Sequence, residues 1–129
     1  MGRILILEDE PGFQLILTEH LKDAGHLVTQ AWDGAEALDL IQREPFDLLL
    51  LDNRMPGITG LEFLQRARQL GIEAPAIIMT AYAEIPVVVE SMRLGALDFL
   101  PKPFRPVQSL LPMVERCLQR ATAPDPAPT

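Results

Sequence analysis

The sequence predicts an α/β domain in which five parallel strands alternate with five helices. Short apolar runs occupy residues 3–7, 26–31, 47–51, 75–80 and 97–100. The first, third and fourth runs are almost continuously apolar, which is typical of strands buried on both faces of a parallel sheet. Stretches with helical periodicity follow the runs, as in right-handed βαβ units. A chain of 129 residues with 48% hydrophobic residues has the size of one domain and is not a disordered chain.

The first helix follows the strand at 3–7 after a short acidic turn. Pro11 suits the first turn of a helix, because the N–H that proline lacks has no intrahelical partner there, and Gly25 ends the helix. Its expected apolar stripe is Phe13, Leu17 and Leu21, with Ile16 beside it. The strand at 26–31 alternates more and ends in polar residues, which is typical of an edge strand.

Capping boxes predict where the second and third helices begin. Asp33 and Glu36 form one box, and Thr59 and Glu62 form the other. The second helix has the expected stripe Ala37, Leu38 and Ile41, and the third has Leu61, Leu64 and residues 67–70. Gly71 ends the third helix.

The fourth and fifth helices carry two further expectations. The fourth begins at Pro86 and ends at Gly95, and within residues 87–89 at least one valine must be exposed, since successive helical residues point about 100° apart. The fifth covers about 105–120 and contains Pro112, so the helix either bends there or becomes regular near that residue. The Pro/Ala-rich residues 121–129 are expected to form a tail or the start of a linker.

Charge and composition exclude several classes of protein. The net charge of −7 gives no basic footprint, so direct binding of nucleic acid is not expected. Cys117 is the single cysteine, which excludes an intramolecular disulfide. No run approaches 18 uninterrupted apolar residues, so no membrane span is expected, and we expect a cytoplasmic location.

Polar side chains follow four of the predicted strands. In open parallel sheets, ligands bind beyond the carboxyl ends of the strands. The residues expected at that edge are Glu8, Asp9, Glu10, Asp52, Asn53, Thr80 and Lys102. Each alone has an ordinary structural explanation, as a cap, a turn residue, a strand-end hydroxyl or a solvated lysine. Their meeting at one edge of the sheet favours a functional site.

The residue types at this edge indicate phosphoryl chemistry with a metal. Glu8, Asp9 and Asp52 would crowd three carboxylates together, which requires a cation to offset their repulsion. Oxygen ligands with retained waters favour Mg²⁺. A carboxylate is a possible nucleophile toward phosphorus, while Thr80 and Lys102 would contact the phosphoryl oxygens. Nucleotide binding is disfavoured, because the first strand is followed by acidic residues and not by a glycine-rich loop.

Four motifs in order resemble the receiver domain of two-component response regulators, most closely receivers fused to DNA-binding transcriptional activators. They are Leu7-Glu8-Asp9-Glu10, residues 51–57 followed by Gly60, Met79-Thr80-Ala81, and residues 98–104. The match covers essentially residues 3–120, so residues 1–120 are expected to form the receiver. The resemblance implies a flavodoxin-like fold with strand order 2-1-3-4-5.

The resemblance also implies a role for each site residue. Asp52 would accept the phosphoryl group. Mg²⁺ would be bound by Asp9, Asp52 and the backbone carbonyl of Arg54, with Glu8 acting through water or its nearby charge. Thr80 and Lys102 would contact the phosphoryl group. Phe99 would be the switch aromatic, in place of the commoner tyrosine, together with Thr80, and the peptide bond before Pro103 would be cis.

The resemblance implies a regulatory switch that catalyses only its own phosphorylation and dephosphorylation. Its expected partners are a sensor histidine kinase, a C-terminal DNA-binding or activator domain, and a second copy through the face of the fourth helix, fifth strand and fifth helix. Asn53 departs from the family, which usually has an apolar residue there. The alternatives are a stand-alone phosphorelay shuttle, a pseudo-receiver that is not phosphorylated, and an aspartyl hydrolase, for which the chain lacks a second acid near Asp52 and room for a cap domain.

Overall fold

The computed structural model describes residues 2–81, 84–102 and 110–122 of the chain. The side chains of 81, 101, 102 and 120–122 lie outside this description, as do residues 82, 83, 103–109 and 123–129. The expectations for Pro103, for the first part of the fifth helix and for most of the tail therefore fall outside the described residues.

Five parallel strands and five helices alternate along the chain, as predicted. The strands are β1 (Arg3–Leu7), β2 (Leu27–Ala31), β3 (Leu48–Asp52), β4 (Ala76–Ala81) and β5 (Ala96–Lys102). The helices are α1 (Pro11–Asp23), α2 (Gly34–Arg43), α3 (Gly60–Gln69), α4 (Ile85–Arg93) and α5 (Leu110–Thr122). The strands form one sheet in the order β2-β1-β3-β4-β5, which confirms the expected flavodoxin-like architecture and the edge position of β2.

The core consists of two apolar layers, one on each face of the sheet. Alternate residues of the central strands point to opposite faces, so Leu5 and Leu51 belong to one layer and Ile6 and Leu50 to the other. Helices α2 and α3 cover the first layer, and α1 and α5 cover the second. All four of these strand residues are fully buried, which explains why β1 and β3 are continuously apolar.

The predicted stripe of α3 was partly wrong, and Ile16, which was expected beside the stripe of α1, is exposed. Ile16 and Leu70 are 43% and 51% exposed, whereas Gln14, Thr18 and Phe63 are buried. Gln14 and Thr18 tolerate burial because they make hydrogen bonds inside the protein, so their polarity did not mark a solvent-facing side.

The predicted capping residues are confirmed, with one difference in detail. Thr59 and Glu62 form a complete capping box at the start of α3. At α2, the Asp33 side chain accepts a hydrogen bond from the Glu36 N–H at 2.8 Å, but the Glu36 carboxylate accepts one from the Trp32 N–H, one residue before the cap. Both arrangements satisfy N–H groups at or near the helix start that have no intrahelical partner.

The last strand is longer than predicted and contains an irregularity. Its register moves from Ala76 opposite Ala96 to Ile77 opposite Asp98, which leaves Leu97 as the extra residue of a bulge. Lys102 therefore lies in β5 rather than after it. The described part of α5 begins at Leu110 and includes Pro112 as its third residue.

Candidate functional site at the carboxyl edge of the sheet

Two acidic side chains follow β1 in different surroundings. Glu8 is 1% exposed, and its Oε2 accepts a hydrogen bond from the Glu10 N–H at 3.0 Å. Asp9 is exposed. The turn therefore places one carboxylate inside the protein and the other at its surface, next to the same strand end.

Gln14 on α1 hydrogen-bonds to the backbone of this turn, a role that was not predicted from the sequence. Its buried amide nitrogen is within hydrogen-bond distance of the carbonyl oxygens of Ile6, Glu8 and Ala31, at 3.1, 3.3 and 3.1 Å. Its amide oxygen accepts a hydrogen bond from the Thr18 hydroxyl. The network joins α1 to the ends of β1 and β2 and so fixes the backbone that carries Glu8. The signal in the sequence was a glutamine and a threonine at i, i+4 spacing beside the predicted stripe.

Asp52 ends β3 and is 1% exposed. Its Oδ1 accepts a hydrogen bond from the Arg54 N–H at 3.2 Å, which turns the chain sharply after the strand. Asn53 is also buried, and its Oδ1 accepts a hydrogen bond from the Leu61 N–H at 3.1 Å. An apolar residue at position 53 would lack this bond, which explains why an amide is compatible with a buried position here.

The three predicted carboxylates converge. Glu8, Asp9 and Asp52 each offer an oxygen, and these three oxygens all lie within 4.8 Å of one another. Three such charges at this separation repel unless a cation lies between them. An all-oxygen set with one exposed member, which leaves room for water ligands, fits Mg²⁺.

Thr80 lies beside the cluster on the neighbouring strand. Asp52 pairs with Met79 in the β3–β4 ladder, and Thr80 is the next residue of β4. Thr80 is 1% exposed, and its hydroxyl donates a hydrogen bond to Oε2 of Glu84. Glu84 was not singled out from the sequence.

Glu84 also contacts the loop after β3. Its Oε1 accepts a hydrogen bond from Arg54 Nε at 2.8 Å. The Arg54 side chain is 72% exposed, whereas that of Glu84 is 16% exposed. Glu84 is the N-cap residue of α4, so one carboxylate connects β4, the β3–α3 loop and the start of α4.

The remaining predicted site residues lie on β5 or outside the description. Pro101 and Lys102 pair with Thr80 and Ala81, which puts the Lys102 backbone at the same edge of the sheet. The Lys102 side chain and Pro103 lie outside the described residues. Phe99 is half-buried and packs against the apolar layer under α2 and α3.

The C-terminal end of α4 is hydrogen-bonded to α3. Arg68 Nε donates a hydrogen bond to the Leu94 carbonyl at 2.6 Å, and its Nη1 donates to the Ile72 carbonyl at 2.8 Å. Burial lowers the pKa of Arg68, and the nearby charge of Glu73 opposes that change. The guanidinium thus satisfies the carbonyl of the C-cap residue of α4 and a carbonyl in the segment after α3.

The outer face of α4 is apolar, as expected from its valine run. Ile85, Val89 and Met92 are 63%, 55% and 37% exposed. Met92 follows Val89 by three residues, which places both on the exposed side of the helix.

Comparison with protein family models identifies the family to which this chain belongs. The family model described as the response regulator receiver domain matches residues 4–115. The chain belongs to the response regulator receiver family. The acidic cluster of Glu8, Asp9 and Asp52 fits the phosphorylation site of such a receiver domain.

Similar proteins include one that the match covers for most of its length and others that are much longer than this chain. The receiver domain is 41% identical over 102 residues to sporulation initiation phosphotransferase F of Bacillus subtilis, covering 79% of this chain and 82% of that protein. It is 35% identical over 117 residues to the DNA-binding transcriptional regulator NtrC of Escherichia coli K12, covering 91% of this chain and 25% of that protein. The chain spans about half the length, or less, of several curated relatives that it matches.

A solved structure supports the same assignment. The response regulator protein TrrA from Thermotoga maritima, in complex with Mg(2+)-BeF, matches with a TM-score of 0.79 and 33% identity, over 91% of this chain and 99% of that one. Within the described part of the receiver domain, no helix has the length and apolar character that crossing a membrane requires.

Proposed function

We propose that Asp52 accepts a phosphoryl group from the phosphohistidine of a sensor histidine kinase, in a reaction that depends on Mg²⁺. The convergence of the Glu8, Asp9 and Asp52 carboxylates within 4.8 Å is the observation that carries this proposal. Asp9, Asp52 and the backbone carbonyl of Arg54 would bind the ion, and Glu8 would act through water or through its charge. When bound, Mg²⁺ offsets the charge of the carboxylates and of the phosphoryl oxygens.

The proposed transfer is a single displacement at phosphorus. A carboxylate oxygen of Asp52 forms a bond to phosphorus as the bond between phosphorus and the histidine nitrogen of the kinase breaks. The Arg54 N–H, which donates to Asp52 Oδ1, holds the carboxylate in orientation. Thr80 and Lys102 would then bind phosphoryl oxygens, and Phe99 would move with Thr80 as the conformational switch. The domain would catalyse its own phosphorylation and dephosphorylation and no other reaction.

The proposed output is the regulation of transcription through a further domain. The relative NtrC is named a DNA-binding transcriptional regulator, and this chain covers a quarter of it. With a net charge of −7, the receiver itself would not bind DNA. We propose residues 1–120 as the receiver and 121–129, of which 121 and 122 still belong to α5, as a tail or the start of a linker to a DNA-binding or activator domain. The face formed by α4, β5 and α5 would bind a second copy, and the protein would act in the cytoplasm.

A second function has support from one relative. The chain matches 82% of the length of a protein named a phosphotransferase, at 41% identity. A stand-alone receiver of this kind would pass its phosphoryl group on to another protein instead of controlling a DNA-binding domain. The length of the natural gene and a phosphoryl transfer assay with a histidine phosphotransfer protein separate the two functions.

Chemical trapping tests the proposed phosphoacceptor. Borohydride reduces an aspartyl-phosphate to homoserine, and peptide mass spectrometry then identifies the residue. After treatment with acetyl phosphate and Mg²⁺, we expect homoserine at position 52. Homoserine at Asp9, or unmodified peptides throughout, would contradict the assignment, and the second result would favour a pseudo-receiver.

A further inference from the structure

We propose that Glu84 is a positioning residue that holds Thr80 and Arg54 in the unphosphorylated receiver and competes with the phosphoryl group for both. This inference rests on the proposed phosphorylation of Asp52. It adds a residue outside the acidic cluster to the control of that reaction.

The competition at Thr80 follows from the chemistry of a hydroxyl. Thr80 has one hydroxyl hydrogen, and it is donated to Glu84 Oε2. The oxygens of a phosphoryl group on Asp52 are acceptors and would need the same hydrogen. Because Thr80 is 1% exposed, water is a poor substitute partner during the exchange. Binding the phosphoryl group therefore requires the bond to Glu84 to break.

The competition at Arg54 is electrostatic. The Arg54 N–H donates to Asp52 Oδ1, and its side chain pairs with Glu84 Oε1 at 2.8 Å. A phosphoryl group on Asp52 adds negative charge two residues from Arg54 and beside Thr80, whose hydroxyl contacts the carboxylate of Glu84. Glu84 thus opposes phosphorylation in two ways: it pairs with the Arg54 guanidinium, and its negative charge repels that of the phosphoryl group.

The position of Glu84 links this competition to α4. Glu84 is the N-cap residue of α4. At the C-terminal end of the helix, Arg68 of α3 donates a hydrogen bond to the Leu94 carbonyl. When Glu84 releases Thr80 and Arg54, the start of α4 loses two of its connections and its end keeps those through Arg68. Ile85, which is 63% exposed, is the first residue of the freed turn.

Beryllofluoride binding tests the proposal, because this phosphoryl mimic binds without covalent chemistry. The dissociation constant is measured by calorimetry in the presence of Mg²⁺ for the wild type, Glu84→Gln and the control Glu90→Gln. Glu90 carries the same charge on α4 and pairs with Arg93. We expect Glu84→Gln to bind beryllofluoride about tenfold more tightly. The substitution replaces the charged acceptor of the Thr80 hydroxyl with a neutral one, which weakens the hydrogen bond that must break. Glu90→Gln should bind within about twofold of the wild type, because an exposed charge is screened.

Two further measurements separate competition from a merely structural bond. Mg²⁺ alone should bind Glu84→Gln and the wild type within about twofold, because Glu84 is not a member of the acidic cluster. In a Thr80→Val background, the gain from Glu84→Gln should shrink, because no hydroxyl remains to be released. Glu84→Ala is the second variant and should bind at least as tightly as Glu84→Gln.

The outcomes distinguish this inference from the proposed function. Unchanged or weaker beryllofluoride binding by both Glu84 variants would overturn the role of Glu84 and leave Asp52 as the phosphoacceptor. A wild-type protein that binds no beryllofluoride with Mg²⁺ would contradict the proposed function and this inference together.

Discussion

Gly60 lies so close to Asp52 that a Cβ atom on Gly60 would stand 2.5 Å from the Asp52 carbonyl oxygen. The start of α3 therefore packs directly on the end of β3, and only glycine permits this approach. This contact positions the backbone of the proposed phosphoacceptor. Any other residue at position 60 would push the start of α3 away from the end of β3.

Gly60→Ala should lower the free energy of unfolding by about 1–3 kcal/mol, because the added methyl must displace backbone rather than a flexible side chain. Urea denaturation measures the change. Gly12→Ala on α1 is the matched control: outside its own helical turn, no atom of the described residues lies within 4 Å of the place its added methyl would take, so it should stabilise the protein by up to about 1 kcal/mol. Equal stabilities of the two variants would contradict the close packing of α3 on Asp52.

Asp9→Ala should reduce the affinity for Mg²⁺ by about tenfold or more, since it removes one of three clustered charges. Asp9 is exposed, so the fold should remain intact, as checked by circular dichroism. Phosphorylation by acetyl phosphate should be abolished, and the stabilisation that Mg²⁺ gives the wild type by mass action should fall. Phosphorylation at the wild-type rate would remove Asp9 from the metal site.

Large residues at positions 54 and 82 should slow self-dephosphorylation. In receivers, the second residue after the phosphoacceptor and the second after the threonine flank the path of the attacking water. These are Arg54, whose side chain is 72% exposed and paired with Glu84, and Tyr82, which lies outside the described residues. The double variant Arg54→Ala, Tyr82→Ala should lose its phosphoryl group faster, as followed by mass spectrometry over time. An unchanged lifetime would show that these side chains do not shield the acyl phosphate.

The exposed apolar face of α4 should mediate association of the phosphorylated form. Val89→Glu puts a charge on a residue that is 55% exposed and should weaken any dimer formed with beryllofluoride by about tenfold or more. Sedimentation velocity, with and without beryllofluoride, measures the association. Leu70→Glu is a control of similar exposure, 51%, on the neighbouring α3 side. If both variants associate like the wild type, the output surface lies elsewhere.

Much of the fold was predictable because the buried strands are short and apolar throughout. Leu48, Leu49 and Leu50 give β3 no polar face, and that pattern is typical of a central strand in a parallel sheet. The acidic cluster was predictable for a related reason, since residues after parallel strands meet at one edge.

The parts that were not predictable depend on contacts between distant or weakly patterned segments. Glu84 is separated by thirty residues from Arg54, and nothing local marks it as a partner. Gln14 was hidden because a buried amide looks like a surface residue until its carbonyl partners are known. The bulge at Leu97 brings Lys102 into the strand. The bulge residue is neither a glycine nor a proline, so it was not indicated by the sequence.

Intact-mass spectrometry after treatment with acetyl phosphate and Mg²⁺ tests most directly whether Asp52 is a Mg²⁺-dependent phosphoacceptor. We expect the wild type to gain one phosphoryl group, chelation of Mg²⁺ to prevent the gain, and Asp52→Asn to gain none. A wild-type protein that stays unmodified, or an Asp52→Asn variant that is modified to the same extent, would contradict this role.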